Sequence, residues 1–198
     1  MNVLLLGSGG RESALAKKIS ESPLCSHLFI APGNPGTAEC GSNVRISITD
    51  FSAIKNFCIQ KRIDMLVVGP EIPLIDGLSD YFSSNAELQH IHFIGPCKAG
   101  ANLEGSKSFA KQFMEKYQIP TARYQNFTKT SIHAARSFLQ TLKPPYVIKA
   151  DGPAAGKGVI ISQTIEEAIA SIDEILLDDK FGFAGNTIVI EEFLSGIE

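Results

Sequence analysis

The 198-residue sequence has no uninterrupted apolar stretch approaching a membrane span, which needs about 20 predominantly apolar residues. It also has no basic surplus. Its 18 Lys and Arg stand against 21 Asp and Glu, for a formal net charge of −3, and the lysines are scattered. That balance argues against a broad cationic face for nucleic acid. Cysteine is sparse: Cys25, Cys40, Cys58 and Cys97 lack metal-ligand spacing and read as ordinary thiols in a reducing, cytoplasmic compartment. His90 and His92 could share a strand face, but no third ligand stands nearby, so no metal ligands are expected within 1–198. No Ser/His/Asp or Cys/His spacing proposes covalent hydrolysis. The opening MNVLLLGSGGRE lacks a positive leading region and a small-residue cleavage signature, so it reads as a first strand and not as a signal peptide.

What is present is enough apolar residue, 44%, to bury a core in one or two domains. Short β-rich runs at 3–6, 28–30, 63–68 and 91–94 alternate with helix-compatible stretches at 11–20, 51–61 and near 74–84. Asp50 can cap the second of these, whose Ile54, Phe57 and Cys58 fall on one face. PGNPG at 32–36 is turn chemistry. Such alternation predicts a mainly parallel sheet with helices on both faces. Ligands then gather beyond the strand C-termini, where 7–12, 32–36 and 69–71 fall. After Gly95 the pattern changes, with helices predicted over 104–116, 131–142 and 165–177 and strands over 121–127 and 187–190. Thr164 and Glu167 form a capping box for the last helix, whose inner face is Ile165, Ala168, Ile169, Ile172 and Leu176. A boundary near 95–120 separates an α/β unit from the beginning of an α+β unit.

The chemistry centres on YVIKADGPAAGKGVIIS, residues 146–162. Lys149 leads into a stretch with glycines at 152, 156 and 158 and a second lysine, Lys157, a combination suited to polyphosphate. The string is not a Walker A loop. Gly152 and Gly156 enclose three residues instead of four, Gly158 stands where Ser or Thr should be, and no helix follows. A plain glycine-rich hairpin with solvated lysines is the competing reading. Lys149 lies in a run that otherwise favours burial, so its ammonium needs water or an anionic partner. Lys107, in LEGSK, has a surface helix start as its ordinary explanation. Glu191 and Glu192 are adjacent on a strand and point to opposite sides, so they are no acid/base pair. In GSGGRE, Glu12 occupies the third glycine position of a dinucleotide fingerprint, and Asp50 comes too late for a ribose-binding acid. The amides near Gly9 and Gly10 could instead receive an anion, with Arg11, Glu12 and Glu71 adding polar contacts.

GSGGRE, APGNPGTA, VVGPEIPL, LEGSKSFAK, IPTARY, VIKADGPAAGKGV and IVIEEFLSG occur together and in order. This set resembles the N-terminal portion of the phosphoribosylamine–glycine ligase (glycinamide ribonucleotide synthetase) family of ATP-grasp enzymes in purine biosynthesis. The resemblance covers essentially the whole chain. It implies a Rossmann-like domain at 1–103, on the substrate side, and the first part of an α+β ATP-grasp domain at 104–198. The implied substrates are ATP, glycine and 5-phosphoribosylamine, with Mg²⁺ or Mn²⁺ in the complete enzyme and neither nucleic acid nor membrane as partner. Lys107 and Lys149 would then contact ATP phosphates, and the loop from Gly152 through Gly156, Lys157 and Gly158 to Val159 would cover them. Glu191, Glu192, Phe193 and Leu194 would form the hinge around adenine, and Glu198 would approach the ribose. Gly9, Gly10, Arg11, Glu12 and Glu71 would shape the phosphoribosylamine side. Members often have histidine where Ser13 stands and leucine where Pro153 stands. Family members are also longer, so 1–198 alone is expected to be poorly active. Another ATP-grasp carboxylate–amine ligase and a noncatalytic nucleotide-binding module are the alternatives.

Overall fold

The computed structural model describes residues 1–154 and 157–196, arranged as two compact units, Met1–Ala101 and Asn102–Glu198. In the first unit, β1 (Asn2–Gly7), α1 (Gly10–Ser20), β2 (His27–Pro32), α2 (Pro35–Ala38), β3 (Ser42–Asn43), α3 (Phe51–Lys61) and β4 (Met65–Val68) follow one another. Then come α4 (Ile72–Ile75), α5 (Leu78–Ser84), β5 (His92–Ile94) and α6 (Lys98–Gly105), which runs across the unit boundary. The strands form a parallel sheet of order β3-β2-β1-β4-β5.

Burial explains why β1 reads as an unbroken apolar run. Leu4 and Leu6 enter a core with Ile54, Cys58, Leu66 and Leu78, while Val3 and Leu5 enter another with Ala16, Leu28 and Ile30. Alternate side chains of one strand thus serve two faces, each covered by helices, as a doubly wound sheet requires. Asp50 caps α3 by accepting from the Ala53 N–H at 2.9 Å. Three expectations change here. The helix anticipated near 74–84 is two helices, because Gly77 turns left-handed at φ +97° between them. PGNPG does not stay a loop: Asn34 caps the short α2 by accepting from the Thr37 N–H at 3.0 Å. The strand at 63–68 begins only at Met65, because Arg62 closes α3 at φ 51° and Ile63 is tied back to Cys58.

The second unit contains α7 (Lys107–Lys116), β6 (Tyr124–Thr128), α8 (Ile132–Leu139), β7 (Tyr146–Ala150), β8 (Val159–Ser162), α9 (Ile165–Leu176) and β9 (Thr187–Glu192). Its antiparallel sheet has the order β6-β9-β7-β8, so β9 is an interior strand. One sheet face carries Phe127, Ile148, Ala150, Ile188 and Ile190 into a core with Ala135, Leu139, Ala168 and Ile172 of α8 and α9. The Thr164–Glu167 capping box forms, and Ala168, Ile172 and Leu176 are buried. The helix expected over 104–116 is interrupted at Ser106. Its extended backbone ends α6, and its hydroxyl accepts from the Phe109 N–H at 3.1 Å to start α7. A parallel-sheet α/β unit followed by an antiparallel α+β unit is the expected fold class.

Candidate functional site

In the first unit the strand order reverses between β1 and β4, where the connections leave for opposite sides of the sheet. A crevice at the strand C-termini is the geometric consequence. Gly7 (φ +126°) closes β1, and the Gly69 N–H after β4 donates to Leu6 O at 3.1 Å. Glu12 folds back into this crevice and is only 4% exposed. Its Oε2 accepts from the Gly9 N–H at 2.6 Å. A Cβ on either Gly7 or Gly69 would overlap the Glu12 side chain, so these glycines make the room that Glu12 fills.

The expectation for the α1 N-terminus is thereby corrected at one position. The Gly9 amide does not face an incoming anion, because Glu12 has supplied its own carboxylate. That arrangement also disfavours a dinucleotide pyrophosphate, which would meet a fixed negative charge where the fingerprint has glycine. Glu12 Oε1 is buried without a hydrogen-bond partner, 4.0 Å from Arg11 Nε. Arg11 is mostly exposed and brings Nη2 to 3.8 Å from Glu71 Oε2. Gly9, Gly10, Arg11, Glu12 and Glu71 therefore gather at one sheet edge. Asn34 lies within the 32–36 stretch expected at these strand ends, but its bonding to the first loop was not anticipated. Its Nδ2 donates to Ser8 O at 2.8 Å and to Ser13 Oγ at 2.9 Å, so Ser13 helps pin the two loops together. Only the turn residues of PGNPG hinted at this.

In the second unit the face opposite the apolar core carries the charge. Register places Lys149 beside Val189 on one flank and Val159 on the other, and Glu191 beside Val147 and Tyr124. Lys149 Nζ lies 2.8 Å from Glu191 Oε1 as a close ion pair. The approach is off the hydrogen-bonding direction, and Oε1 has no hydrogen-bond partner. Glu191 Oε2 lies 2.8 Å from Lys111 Nζ, a residue the sequence reading passed over. Lys111 sits one helical turn after Lys107, and that spacing was the available signal.

Lys107 is half-buried and donates to Gly152 O at 3.2 Å and Asp151 O at 3.3 Å. Burial pulls its ammonium below the usual lysine value; Asp151 opposes that and Lys149 adds to it. The Asp151 carboxylate holds the start of α7 through the Ser108 N–H at 2.6 Å and Ser106 Oγ at 3.0 Å. A lysine at a solvated helix start is therefore not what the fold contains.

Two loop glycines answer to packing. A Cβ on Gly152 would come within 2.9 Å of Ala184 Cα, and one on Gly158 within 2.7 Å of Ala154 Cβ. Lys157 is exposed, with its N–H donating to Ala154 O at 2.9 Å, and Val159 is also exposed. Glu192 turns away from Glu191 and accepts from the Arg123 N–H at 2.8 Å. Because β9 is interior, the reading of these acids as solvated edge residues fails for Glu191, which is 5% exposed. Phe193 and Leu194 follow as exposed apolar side chains. Gly156 and Glu198 lie outside the described residues.

Residues 1–104 match the family described as phosphoribosylglycinamide synthetase, N domain, and residues 105–198 match phosphoribosylglycinamide synthetase, ATP-grasp (A) domain. The chain is 49% identical over 200 aligned residues to phosphoribosylamine–glycine ligase of Salmonella typhimurium, covering all of this chain and 45% of that protein. Among solved structures, phosphoribosylamine–glycine ligase from Thermotoga maritima superposes with a TM-score of 0.77 at 33% identity, covering 100% of this chain and 45% of that one. The biotin carboxylase domain of a 2-oxoglutarate carboxylase from Hydrogenobacter thermophilus, in complex with MgADP, shares the fold at a TM-score of 0.72. It is 15% identical and covers 98% of this chain and 44% of that one. The chain thus spans a little under half the length of the curated relatives it matches.

Proposed function

The chain belongs to the phosphoribosylglycinamide synthetase family, and from that membership we propose that it serves the ATP-dependent joining of glycine to 5-phosphoribosylamine. The observation that carries the proposal is the charged face of the second sheet, where Lys149, Glu191, Lys111 and Lys107 are fixed beside a glycine-rich loop. In the reaction, a glycine carboxylate oxygen attacks the γ-phosphorus of ATP and the bond to the ADP oxygen breaks. The amine of phosphoribosylamine then attacks the carbonyl carbon of glycyl phosphate and expels phosphate, giving glycinamide ribonucleotide. The first step needs cations placed in advance around the transferring phosphoryl group, and the second needs water kept from the acyl phosphate.

We assign 104–198 to the nucleotide and 1–103 to the phosphoribosylamine. Lys107 and Lys149 meet the phosphates, the loop from Gly152 to Val159 covers them, and backbone groups at Glu191–Leu194 take the base, with Phe193 and Leu194 adding apolar contact. The Glu191 side chain itself is committed to lysines, so its part is to hold them. Arg11, Glu12 and Glu71, with the Gly9–Gly10 turn, shape the other substrate's side. Divalent metal belongs to the family chemistry, yet among the described residues no three His, Cys, Asp or Glu side chains come together as ligands. No step of this reading is routed through a metal held by these residues.

Omitting substrates one at a time from the full-length ligase, supplied with ATP, divalent metal, glycine and freshly generated phosphoribosylamine, tests the reading. ADP release requiring both co-substrates, with glycinamide ribonucleotide formed, is expected, and residues 1–198 alone should turn over poorly. ADP release indifferent to glycine would overturn the assignment. A second expectation follows from Lys107. Phosphate favours its charged form, so ATP affinity should fall as pH rises through its lowered pKa, beginning below the ordinary lysine value of 10.5. Lys107→Arg, which stays charged, should flatten that fall in a calorimetric titration. A wild-type affinity constant up to 10.5 would remove Lys107 from the site.

A further inference from the structure

Lys111 is a lysine that cannot reach a ligand. Its side chain is 8% exposed, between α7 and β9, and its ammonium is fully engaged. It lies 2.8 Å from Glu191 Oε2 and donates to Thr121 Oγ1 at 2.7 Å and to Ala122 O at 3.4 Å. It also stands 5.4 Å from the centre of the Tyr124 ring. Lys149, on the other oxygen of the same carboxylate, is 28% exposed and is the member of the trio with a free side.

We propose that Lys111 is a positioning residue for nucleotide binding: it neutralises Glu191, so that Glu191 can hold Lys149 in place without cancelling its charge. The formal charges make the argument. Lys111, Glu191 and Lys149 together carry +1, and the surplus resides on the one ammonium that is open to a ligand. Without Lys111 the remaining pair sums to zero, and Glu191 draws Lys149 toward itself in competition with any phosphate. A single buried carboxylate beside a phosphate-binding lysine would oppose the site's purpose, and the second lysine resolves that conflict. The inference rests on the reading that Lys149 meets the phosphates of ATP.

Charge compensation separates this role from simple packing. The measurement is ATP affinity of the full-length ligase, by calorimetry, for Lys149→Met, Lys111→Met, Lys111→Arg and the double variant Lys111→Met/Glu191→Gln. Lys111→Met should weaken ATP about tenfold, as expected for one unit of charge removed near a phosphate site. Lys111→Arg should stay within about threefold of wild type. The double variant restores the trio's charge to +1 and should recover to within about threefold of wild type, although it carries two substitutions in a buried cluster. Loss in the single variant without recovery in the double would reduce Lys111 to packing and overturn the proposal, as would unchanged affinity in Lys111→Met. If Lys111→Met does not fold, the double variant, from which both buried charges are removed, decides alone: ATP affinity within about threefold of wild type sustains the proposal and weaker binding overturns it. Unchanged affinity in Lys149→Met would instead bring down the phosphate reading on which the inference stands.

Discussion

For the ligase reaction proposed above, Lys149→Ala is expected to lower kcat/KM of the full-length protein by about 10²–10³-fold, the usual loss when a preorganised electrostatic donor is removed from charge developing in a transition state. The side chain is placed by β7, whose neighbours Ile148 and Ala150 are fully buried in the opposite face. The backbone at 149 is therefore fixed by packing, and truncating the side chain removes the ammonium without disturbing the strand. Unchanged strand protection in hydrogen exchange, alongside the kinetic loss, is the accompanying result. Lys149→Arg should recover only part of the rate, because a planar fork does not replace a compact ammonium held beside Glu191. A variant retaining wild-type kcat/KM would show that the charged face is not where ATP reacts.

Glu191→Ala should destabilise the second unit by about 3–5 kcal/mol, since it strands a buried Lys111 charge with only a hydroxyl and a carbonyl for company. The neighbouring Glu192→Ala should cost about 1 kcal/mol, the worth of one ordinary hydrogen bond to the Arg123 N–H. Native-state hydrogen exchange at β7 and β9 amides reads both free energies locally, which suits a chain of two units better than a single global midpoint. Equal losses at the two positions would refute the assignment of Glu191 as the buried anchor.

The local sequence determined much of the architecture on its own. Asp50 and Thr164 mark helix starts, the continuous apolar run of 3–6 announces a strand covered on both faces, and the alternation of elements predicts a parallel sheet. Lys149 stood out because an ammonium within YVIKA has to be answered by something. The interruptions at Gly77 and Ser106 were less legible, since a glycine or serine inside a helical pattern is compatible with continuation until its backbone is seen.

The answer to Lys149 was not in its own neighbourhood. Glu191 becomes its partner because β9 pairs with β7, bringing together residues 42 positions apart, and Lys111 arrives from α7 against the same strand. Glu12 likewise finds its place only because Gly69 at the end of β4 lies beside Gly7 at the end of β1. Periodicity and capping are properties of consecutive residues and are written along the chain. Charge pairing and burial depend on which strands become neighbours, so the residue types of the site belong to the sequence, while their partners, exposure and roles were decided by the sheet.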